Sequence, residues 1–414
     1  MPNIHNTIKG GPGLFLKAAA QLLEDELQFT KSIAKAPAED YNGKNGYSAG
    51  DTVYISKPAR YIPGTSFDIT STIQDSNEEK VPLVLDTIST VGMSIDSFEF
   101  ATEVDLKNSV ERFAKPAASA IAQNIEQRLL QKATQATYNL VGTAGSTQFA
   151  PDDVLSARER MSKFLCPKDA NRFFLQDSTA GRLAVGSRKG LFQSASNIAD
   201  QYKTGMIGQA DGFNWLENEL LYSHLRGTQA VTGATVTTTL ATQGVSTIAI
   251  TGTSGGTLRT GDVFTIANVF AVHPITKQVY PFLQQFVVTA NNTASGTAYT
   301  GVTFSPAVTT TAAASGLANV NRFPTAGDAI TFVGAVSTTL TQNLCFHKEA
   351  FRMVSVPLVM PTKAEIAEQV TTAGGMTVAL VRDFDILRRR MVTRLDVLAG
   401  IAAVRPEWAT RITA

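Results

Sequence analysis

The sequence predicts an α+β protein in which a separate β-rich unit interrupts a mixed chain of helices and strands. Between about residues 229 and 341 charged residues nearly disappear, and the stretch consists mainly of Thr, Val, Ala, Gly and Ser. This composition favours strands and turns over helices. Helical spacing of apolar residues occurs on both sides, at residues 152–160 and 363–370. We therefore expect an inserted β-domain over residues 229–341.

The composition limits the class of protein. The chain has 414 residues, of which 43% are hydrophobic, enough for two or three domains with ordinary cores. A net charge of +1 gives no global basic field that would bind nucleic acid. Residues 1–30 lack a signal-peptide pattern, and no apolar run approaches the roughly 20 residues of a membrane span. Cys166 and Cys345 are typical of buried thiols in a reducing cytosol, and a disulfide between them is left open. A soluble intracellular protein is expected.

The N-terminal region predicts an amphipathic acidic helix that ends near residue 36. Its apolar positions recur at helical spacing, at Leu16, Ala19, Leu23 and Leu27. Glu24, Asp25 and Glu26 form an acidic cluster on the way. Such a helix either packs on its own core or serves as a mobile arm that contacts a partner, since chain ends are commonly mobile.

The next region predicts an extended hairpin. Residues 52–56 and 88–100 alternate as strands, while Pro58, Pro63 and Pro82 prevent a continuous central ladder. A polar tip lies between them, at residues 74–80. The hairpin either lies on a neighbouring subunit or forms a solvated loop. The candidate subunit contacts here are Arg60, Asp75, Glu78, Glu79 and Lys80.

A long helix is predicted over residues 106–138, from an apolar stripe that runs from Val110 to Ala133. Most of its polar residues, Glu126 among them, lie off this stripe. Pro116 either opens a helix in its first turn or kinks a longer one. The remaining predicted elements are helices at 152–161 and 178–186, and strands at 171–175, 343–347, 351–356, 376–385 and 391–404, with loop and strand at 205–222.

The sequence does not support catalysis. It contains no Gly-rich phosphate loop followed by Lys-Ser/Thr and no Gly-x-Ser-x-Gly elbow. Cys345, His347 and Glu349 alternate as on one strand face, but they lack the further ligands of a typical metal site. Arg388, Arg389 and Arg390 follow the carboxylates Asp383 and Asp385, which favours an ion-pair cluster on a solvated or subunit-pairing face over a phosphate site. We predict no enzyme activity, no cofactor and no metal.

Several short segments occur in the same order as in a known family and span nearly the whole chain. Together they resemble the major capsid (coat) proteins of tailed double-stranded-DNA bacteriophages, in particular the short-tailed phage coat family with an inserted β-domain. The segments are Glu26-Leu27-Gln28-Phe29, Gly50-Asp51-Thr52-Val53-Tyr54-Ile55, Lys57-Pro58-Ala59-Arg60, Lys115-Pro116-Ala117-Ala118, Phe346-His347-Lys348-Glu349-Ala350-Phe351, Val356-Pro357-Leu358, Arg394-Leu395-Asp396-Val397-Leu398-Ala399-Gly400 and Arg405-Pro406-Glu407-Trp408-Ala409.

The resemblance implies the tailed-phage/herpesvirus major capsid fold. Its parts would be an N-terminal arm (1–50), an extended hairpin loop (51–100), a peripheral domain with the spine helix (101–150), the first part of an axial domain (151–228), an inserted β-barrel (229–341), and the rest of the axial domain with the peripheral sheet strands (342–414). The expected barrel core comprises Val263, Phe264, Ile266, Phe270, Phe286, Val287 and Val288.

The resemblance also implies a function. The chain would assemble with a scaffolding protein into an icosahedral procapsid of hexamers and pentamers, which expands and encloses the packaged double-stranded DNA. Glu24, Asp25 and Glu26 would contact the scaffold, a portal protein would be a further partner, and DNA would touch the inner face without sequence specificity. Assembly would occur in the host cytoplasm, without a membrane. The alternative is a shell protein of a non-viral compartment that encapsulates an enzyme cargo.

Overall fold

The computed structural model describes residues 20–21, 27–35, 50–57, 67, 79–96, 115–144, 150–188, 208–311, 317–372, 375–388 and 390–413. The chain forms two compact units. The first unit comprises Met1–Ile55, Val81–Leu129 and Arg352–Ala402, and the second comprises Ser56–Lys80, Leu130–Phe351 and Ala403–Ala414.

Strands outnumber helices in the described residues. The main helices are α1 (Phe29–Ser32), α2 (Lys115–Ala136), α3 (Pro151–Lys163) and α4 (Ser178–Arg188). The strands are β1 (Ala34–Lys35), β2 (Thr52–Lys57), β3 (Glu79–Val84), β4 (Thr87–Asp96), β5 (Leu140–Val141), β6 (Arg172–Gln176), β7 (Gln209–Ala210), β8 (Phe213–Glu217), β9 (Ser223–Leu225), β10 (Ala234–Val236), β11 (Val245–Thr251), β12 (Thr257–Leu258), β13 (Val263–Val272), β14 (Val279–Val288), β15 (Asn292–Thr293), β16 (Ala298–Val308), β17 (Ala329–Phe332), β18 (Thr339–His347), β19 (Phe351–Ser355), β20 (Ile366–Thr371), β21 (Thr377–Asp385), β22 (Arg390–Ala403) and β23 (Ala409–Thr413).

The first unit contains a six-stranded sheet in the order β1-β19-β22-β21-β20, with β4 also paired to β22. The long strand β22 is central, because its N-terminal part has β21 on one side and β4 on the other, both antiparallel. Helix α2 begins with Pro116 in its first turn, where a missing N–H costs no helical hydrogen bond. Its buried residues in this unit include Ile121, Ile125 and Leu129, as the apolar stripe predicts; residues 106–114 of the predicted helix lie outside the described residues.

Two predictions for the first unit are wrong. Strand β2 pairs with β3, not with the strand at residues 88–100, whose described part, β4, belongs to the six-stranded sheet. Alternation identifies a strand but not its partner, and only Leu85 and Asp86 separate β3 from β4. Residues 363–370 do not form a helix, since β20 pairs with β21 in register from Ile366 to Thr371. Pairing at a sheet edge overrides the weak helical spacing there.

The second unit is built on a seven-stranded sheet in the order β5-β23-β18-β6-β8-β7, with β9 paired to the start of β18. Helices α3 and α4 cover it, and their buried residues share one core with Phe174 and Trp215. The predicted helices and strands at residues 152–186 and 343–356 are confirmed. Cys166 and Cys345 lie in this core as free thiols. Burial raises the pKa of Cys166 to about 11 and that of Cys345 well above its usual value.

The charge-poor segment folds into a closed barrel with strand order β10-β11-β16-β14-β13-β17. Aromatic rings fill it: the ring centroid of Phe264 lies 5.6 Å from Phe286, 6.1 Å from Phe304 and 5.6 Å from Phe332. A compact aromatic core explains why so few charges are present, since inward positions exclude them.

The predicted barrel core needs a correction. Successive residues of a strand face opposite sides, so Val263 and Val287 point away from Phe264 and Phe286. They form a second apolar cluster with Tyr138 and Leu140. This cluster joins the barrel wall to the seven-stranded sheet. Phe270 is only partly buried.

A buried polar junction fixes the barrel base. Asp262 Oδ1 lies 2.7 Å from His224 Nε2, and Asp262 Oδ2 accepts hydrogen bonds from the backbone N–H groups of Gly227 (3.3 Å) and Arg259 (2.8 Å). Arg411 of β23, 0% exposed, donates to the Gly261 carbonyl at 3.0 Å and to Gln342 at 2.8 Å.

The electrostatics of this junction depend on one carboxylate. Burial lowers the pKa of Arg411 to about 9, and the negative charge of Asp262 opposes that effect. Burial lowers the pKa of Arg226 as well, again opposed by Asp262. Asp262 therefore compensates several buried donors at once, and its removal leaves them without a counter-charge.

We expect Phe264→Ala to lower the free energy of unfolding of the monomer by about 3–5 kcal/mol, because it empties the centre of the barrel. Urea unfolding followed by circular dichroism measures this. Val279→Ala is the matched control, since Val279 is a barrel-strand residue that is 55% exposed. Equal losses in the two variants would contradict the assignment of Phe264 to the core.

We expect Asp262→Asn to cost about 3–5 kcal/mol, since it leaves buried cationic side chains unpaired. The same urea titration measures the loss, with Asp383→Asn as control because Asp383 is exposed. The control should stay within about 0.5 kcal/mol of the parent chain. A loss no greater than that of the control contradicts the role of Asp262.

Candidate assembly surfaces

The predicted contact residues are only partly described. Glu24, Asp25, Glu26, Arg60, Asp75, Glu78 and Arg389 lie outside the described residues, and only the backbone of Glu79 is described. Lys80 is exposed on β3 and Arg388 is exposed in the turn after β21. Their role in subunit contacts therefore stays a prediction.

The hairpin of β2 and β3 has one buried and one exposed face. Val53, Ile55 and Leu83 are buried on one side. Tyr54, 60% exposed, projects from the other side and lies on a strand whose alternate residues Thr52 and Ser56 are also exposed. An aromatic side chain in this position is typical of contact surfaces, where its apolar ring and polar hydroxyl both find partners.

The turn between β21 and β22 is unusually apolar. Ile386 and Leu387 are 84% and 96% exposed, and Phe384 beside them is 42% exposed. The carboxylate of Asp385 shapes the turn by accepting hydrogen bonds from the backbone N–H groups of Leu387 (3.1 Å) and Arg388 (3.3 Å). Adjacent exposed aliphatic side chains at a hairpin tip make this turn a candidate contact surface.

One residue of the basic triplet, Arg390, forms an ion pair. Arg390 Nε lies 3.7 Å from Asp385 Oδ2, across the base of the same turn. A partly exposed pair at this distance contributes little stability. The backbone ladder between β21 and β22 sets the register of the two strand ends.

A carboxylate of α2 holds the start of the described N-terminal segment. Glu126 Oε1 accepts hydrogen bonds from the backbone N–H groups of Gln28 at 3.0 Å and Phe29 at 2.6 Å, and its Oε2 accepts from Thr30 N at 3.4 Å and Thr30 Oγ1 at 3.1 Å. Burial raises the pKa of Glu126, and these hydrogen bonds oppose the rise. Glu126 lies off the apolar stripe, as the spacing predicts, yet it is buried, with 2% of its surface exposed. A glutamate one position from a helix stripe gives only a weak sequence signal of such a contact.

The candidate metal ligands do not share a strand face. Strand β18 ends at His347, and Glu349 follows in a short 3-10 helix. Cys345 packs in the core, while His347 Nε2 lies 3.0 Å from Asp169 Oδ1 and its Nδ1 accepts from Glu349 N at 3.2 Å. His347 therefore stabilises a strand end. Within the described ranges, no group of three His, Cys, Asp or Glu side chains is placed to hold a metal.

The helices in the described part of the chain contain none that is long and apolar enough to cross a membrane.

Comparison with known protein families gives a match that covers nearly the whole chain. The profile of the P22 coat protein family (P22 coat protein, gene protein 5) matches residues 23–411. No curated protein is significantly similar in sequence.

Similar solved structures include one from Mycobacterium phage Che8, with 12% identity, a TM-score of 0.46, and coverage of 93% of this chain and 90% of that chain. The capsid of Ralstonia phage GP4 has 7% identity and a TM-score of 0.48, covering 94% of this chain and 91% of that chain. The I-domain of the CUS-3 coat protein has 32% identity and a TM-score of 0.19, covering 24% of this chain and 94% of that chain.

The family match covers nearly the whole chain, including both units and the barrel segment. The α+β architecture, with its long central strand, α2 and the inserted closed barrel, is a tailed-phage capsid fold. The chain belongs to the P22 coat protein family, the major capsid proteins of tailed bacteriophages.

Proposed function

We propose that this coat protein assembles with an internal scaffolding protein into an icosahedral procapsid of hexamers and pentamers. The shell then expands and encloses the packaged double-stranded DNA, and a portal protein completes it. The observation that carries the proposal is the family match over residues 23–411. Assembly takes place in the host cytoplasm and the product is the virion capsid.

The parts of the chain have separate roles in this proposal. Residues 1–50 act as an N-terminal arm, 51–100 as an extended loop that returns through β4 into the six-stranded sheet, 101–150 as the peripheral domain with the spine helix, and 229–341 as the inserted domain. Residues 151–228 and 342–414 supply the axial domain and the peripheral sheet strands. Function resides in repeated contacts between identical chains, which symmetry closes into a shell.

Two surface features support subunit contacts. Tyr54 on β2 and Ile386 and Leu387 after β21 are large side chains that are exposed on this chain. Such groups stabilise an assembly when a second chain removes them from water. The charged residues proposed to surround these contacts are Arg60, Asp75, Glu78, Glu79, Lys80, Arg388, Arg389 and Arg390.

The charge balance supports the proposed relation to DNA and scaffold. A net charge of +1 is compatible with an inner face that touches DNA without pinning it through many phosphate contacts. Glu24, Asp25 and Glu26 form an acidic site that fits a basic helix of a scaffolding protein by charge complementarity.

Co-expression with a candidate scaffolding protein tests the function. We expect closed particles in electron microscopy and a fast-sedimenting peak that contains both proteins, because burial of exposed apolar side chains against a second chain stabilises the assembly. Neutralising Glu24, Asp25 and Glu26 together should lower the scaffold content of that peak. A chain that stays monomeric at every concentration with scaffold present contradicts the proposal.

Reversal of charge at the hairpin tests the contact residues. Glu78→Lys with Glu79→Lys should leave urea unfolding of the monomer unchanged but reduce particle yield, more at low salt than at high salt, since salt screens exposed charge pairs. The matched control is Glu78→Gln with Glu79→Gln, which should reduce the yield less. An equal loss of soluble monomer would show that these residues act within the subunit.

A further inference from the structure

The described N-terminal segment is attached to the first unit at two points. At one end, the start of α1 donates three backbone N–H groups and one hydroxyl to the carboxylate of Glu126. At the other end, β1 pairs in parallel with β19 through Ala34 and Lys35. Leu27, Phe29 and Ile33 of this segment are buried. Segment 27–35 is thus packed on the unit.

Helix α1 depends on Glu126 for its N-terminal cap. It has only four residues, and its N-cap residue Gln28 makes no side-chain capping hydrogen bond. A helix of that length is not stable in water by itself, because nucleation is unfavourable. The cap is instead supplied from α2, a contact that spans 96 to 98 positions along the chain.

The two partners of this contact require each other. A carboxylate that is 2% exposed needs hydrogen-bond donors to offset its desolvation, and the N–H groups at the start of a buried helix need an acceptor. Hydrogen bonds from backbone N–H to an ionised carboxylate are roughly twice as strong as neutral ones. Losing only some of these hydrogen bonds leaves buried polar groups without partners, which costs free energy. We therefore expect the contact to be made or broken as a whole.

We propose that Glu126 is a clasp for residues 27–35, and that this segment docks and releases as one unit while the rest of the first unit stays folded. The acidic residues 24–26 immediately precede this segment in the sequence. Residues 27–35 therefore have two conformational states, docked and released, and the hydrogen bonds to Glu126 determine which one is populated. This inference concerns the single chain and does not depend on the shell-forming role.

Amide hydrogen exchange on the full-length monomer, read by mass spectrometry, tests the clasp. In the parent chain, peptides covering residues 27–35 should exchange through an opening that responds less to urea than the opening of β21 and β22. Small urea dependence marks local release, and large dependence marks unfolding of the whole unit.

Three variants sharpen the test. Glu126→Ala removes the acceptor and should speed exchange at residues 27–35 by about tenfold or more. Thr30→Val removes only the hydroxyl donor at 3.1 Å and should give a smaller acceleration, about threefold, in the same peptides. Gln123→Ala is the control on the exposed side of α2 and should change exchange by less than about twofold. Peptides from β13 and β22 should be unchanged in all three.

Two results overturn the proposal. One is acceleration that spreads equally to β4, β21 and β22, which makes Glu126 an ordinary core residue. The other is unchanged exchange at residues 27–35 in Thr30→Val. The second variant decides the question if Glu126→Ala yields no soluble protein, because it keeps the branched shape of the side chain.

Discussion

A buried carboxylate that accepts backbone N–H groups organises each of the two units. In the first unit, Glu126 caps a segment about a hundred positions earlier in the chain. In the second, Asp262 accepts from Gly227 and Arg259 and lies against His224. Apolar packing alone is non-directional, whereas these acceptors fix how a segment enters its core. In each unit, one buried carboxylate thus positions a backbone segment, and burying that carboxylate without hydrogen-bond donors would cost free energy.

The sequence predicts the secondary structure well wherever composition and period agree. The barrel follows from the loss of charge over residues 229–341, and α3, β6 and β18 follow from clear periodicity with turn residues at their ends. Predictions are wrong where the strand that a segment pairs with, and not the segment's own sequence, determines its structure. Strand β4 alternates as any strand does, and only pairing with β22 assigns it to the large sheet. Residues 363–370 carry a weak helical spacing that antiparallel pairing with β21 overrides.

Contact geometry was less accessible to sequence reasoning. Alternation along β13 and β14 places Val263 and Val287 outside the barrel, but nothing in their identity distinguishes them from the inward Phe264 and Phe286. Glu126 lies beside an apolar stripe, and only its distant donors explain its burial. The sequence does not indicate the exposed apolar turn at Ile386 and Leu387, because the neighbouring arginines dominate the local pattern. Charge is easy to see in a sequence, while exposure of apolar side chains requires the fold.

The pairing of β9 with the start of β18 has a topological consequence. Leu225 lies opposite Thr339, so the chain leaves the seven-stranded sheet and returns to it at neighbouring positions. Residues 226–338 thus form one long connection between two antiparallel strands. The entropic cost of closing such a connection grows only slowly with its length. The two ends of the connection that contains the barrel therefore already lie side by side in the sheet. Domains of other sizes with similarly close termini are compatible with the same two strands, which makes this junction a natural point of variation on an otherwise constrained subunit.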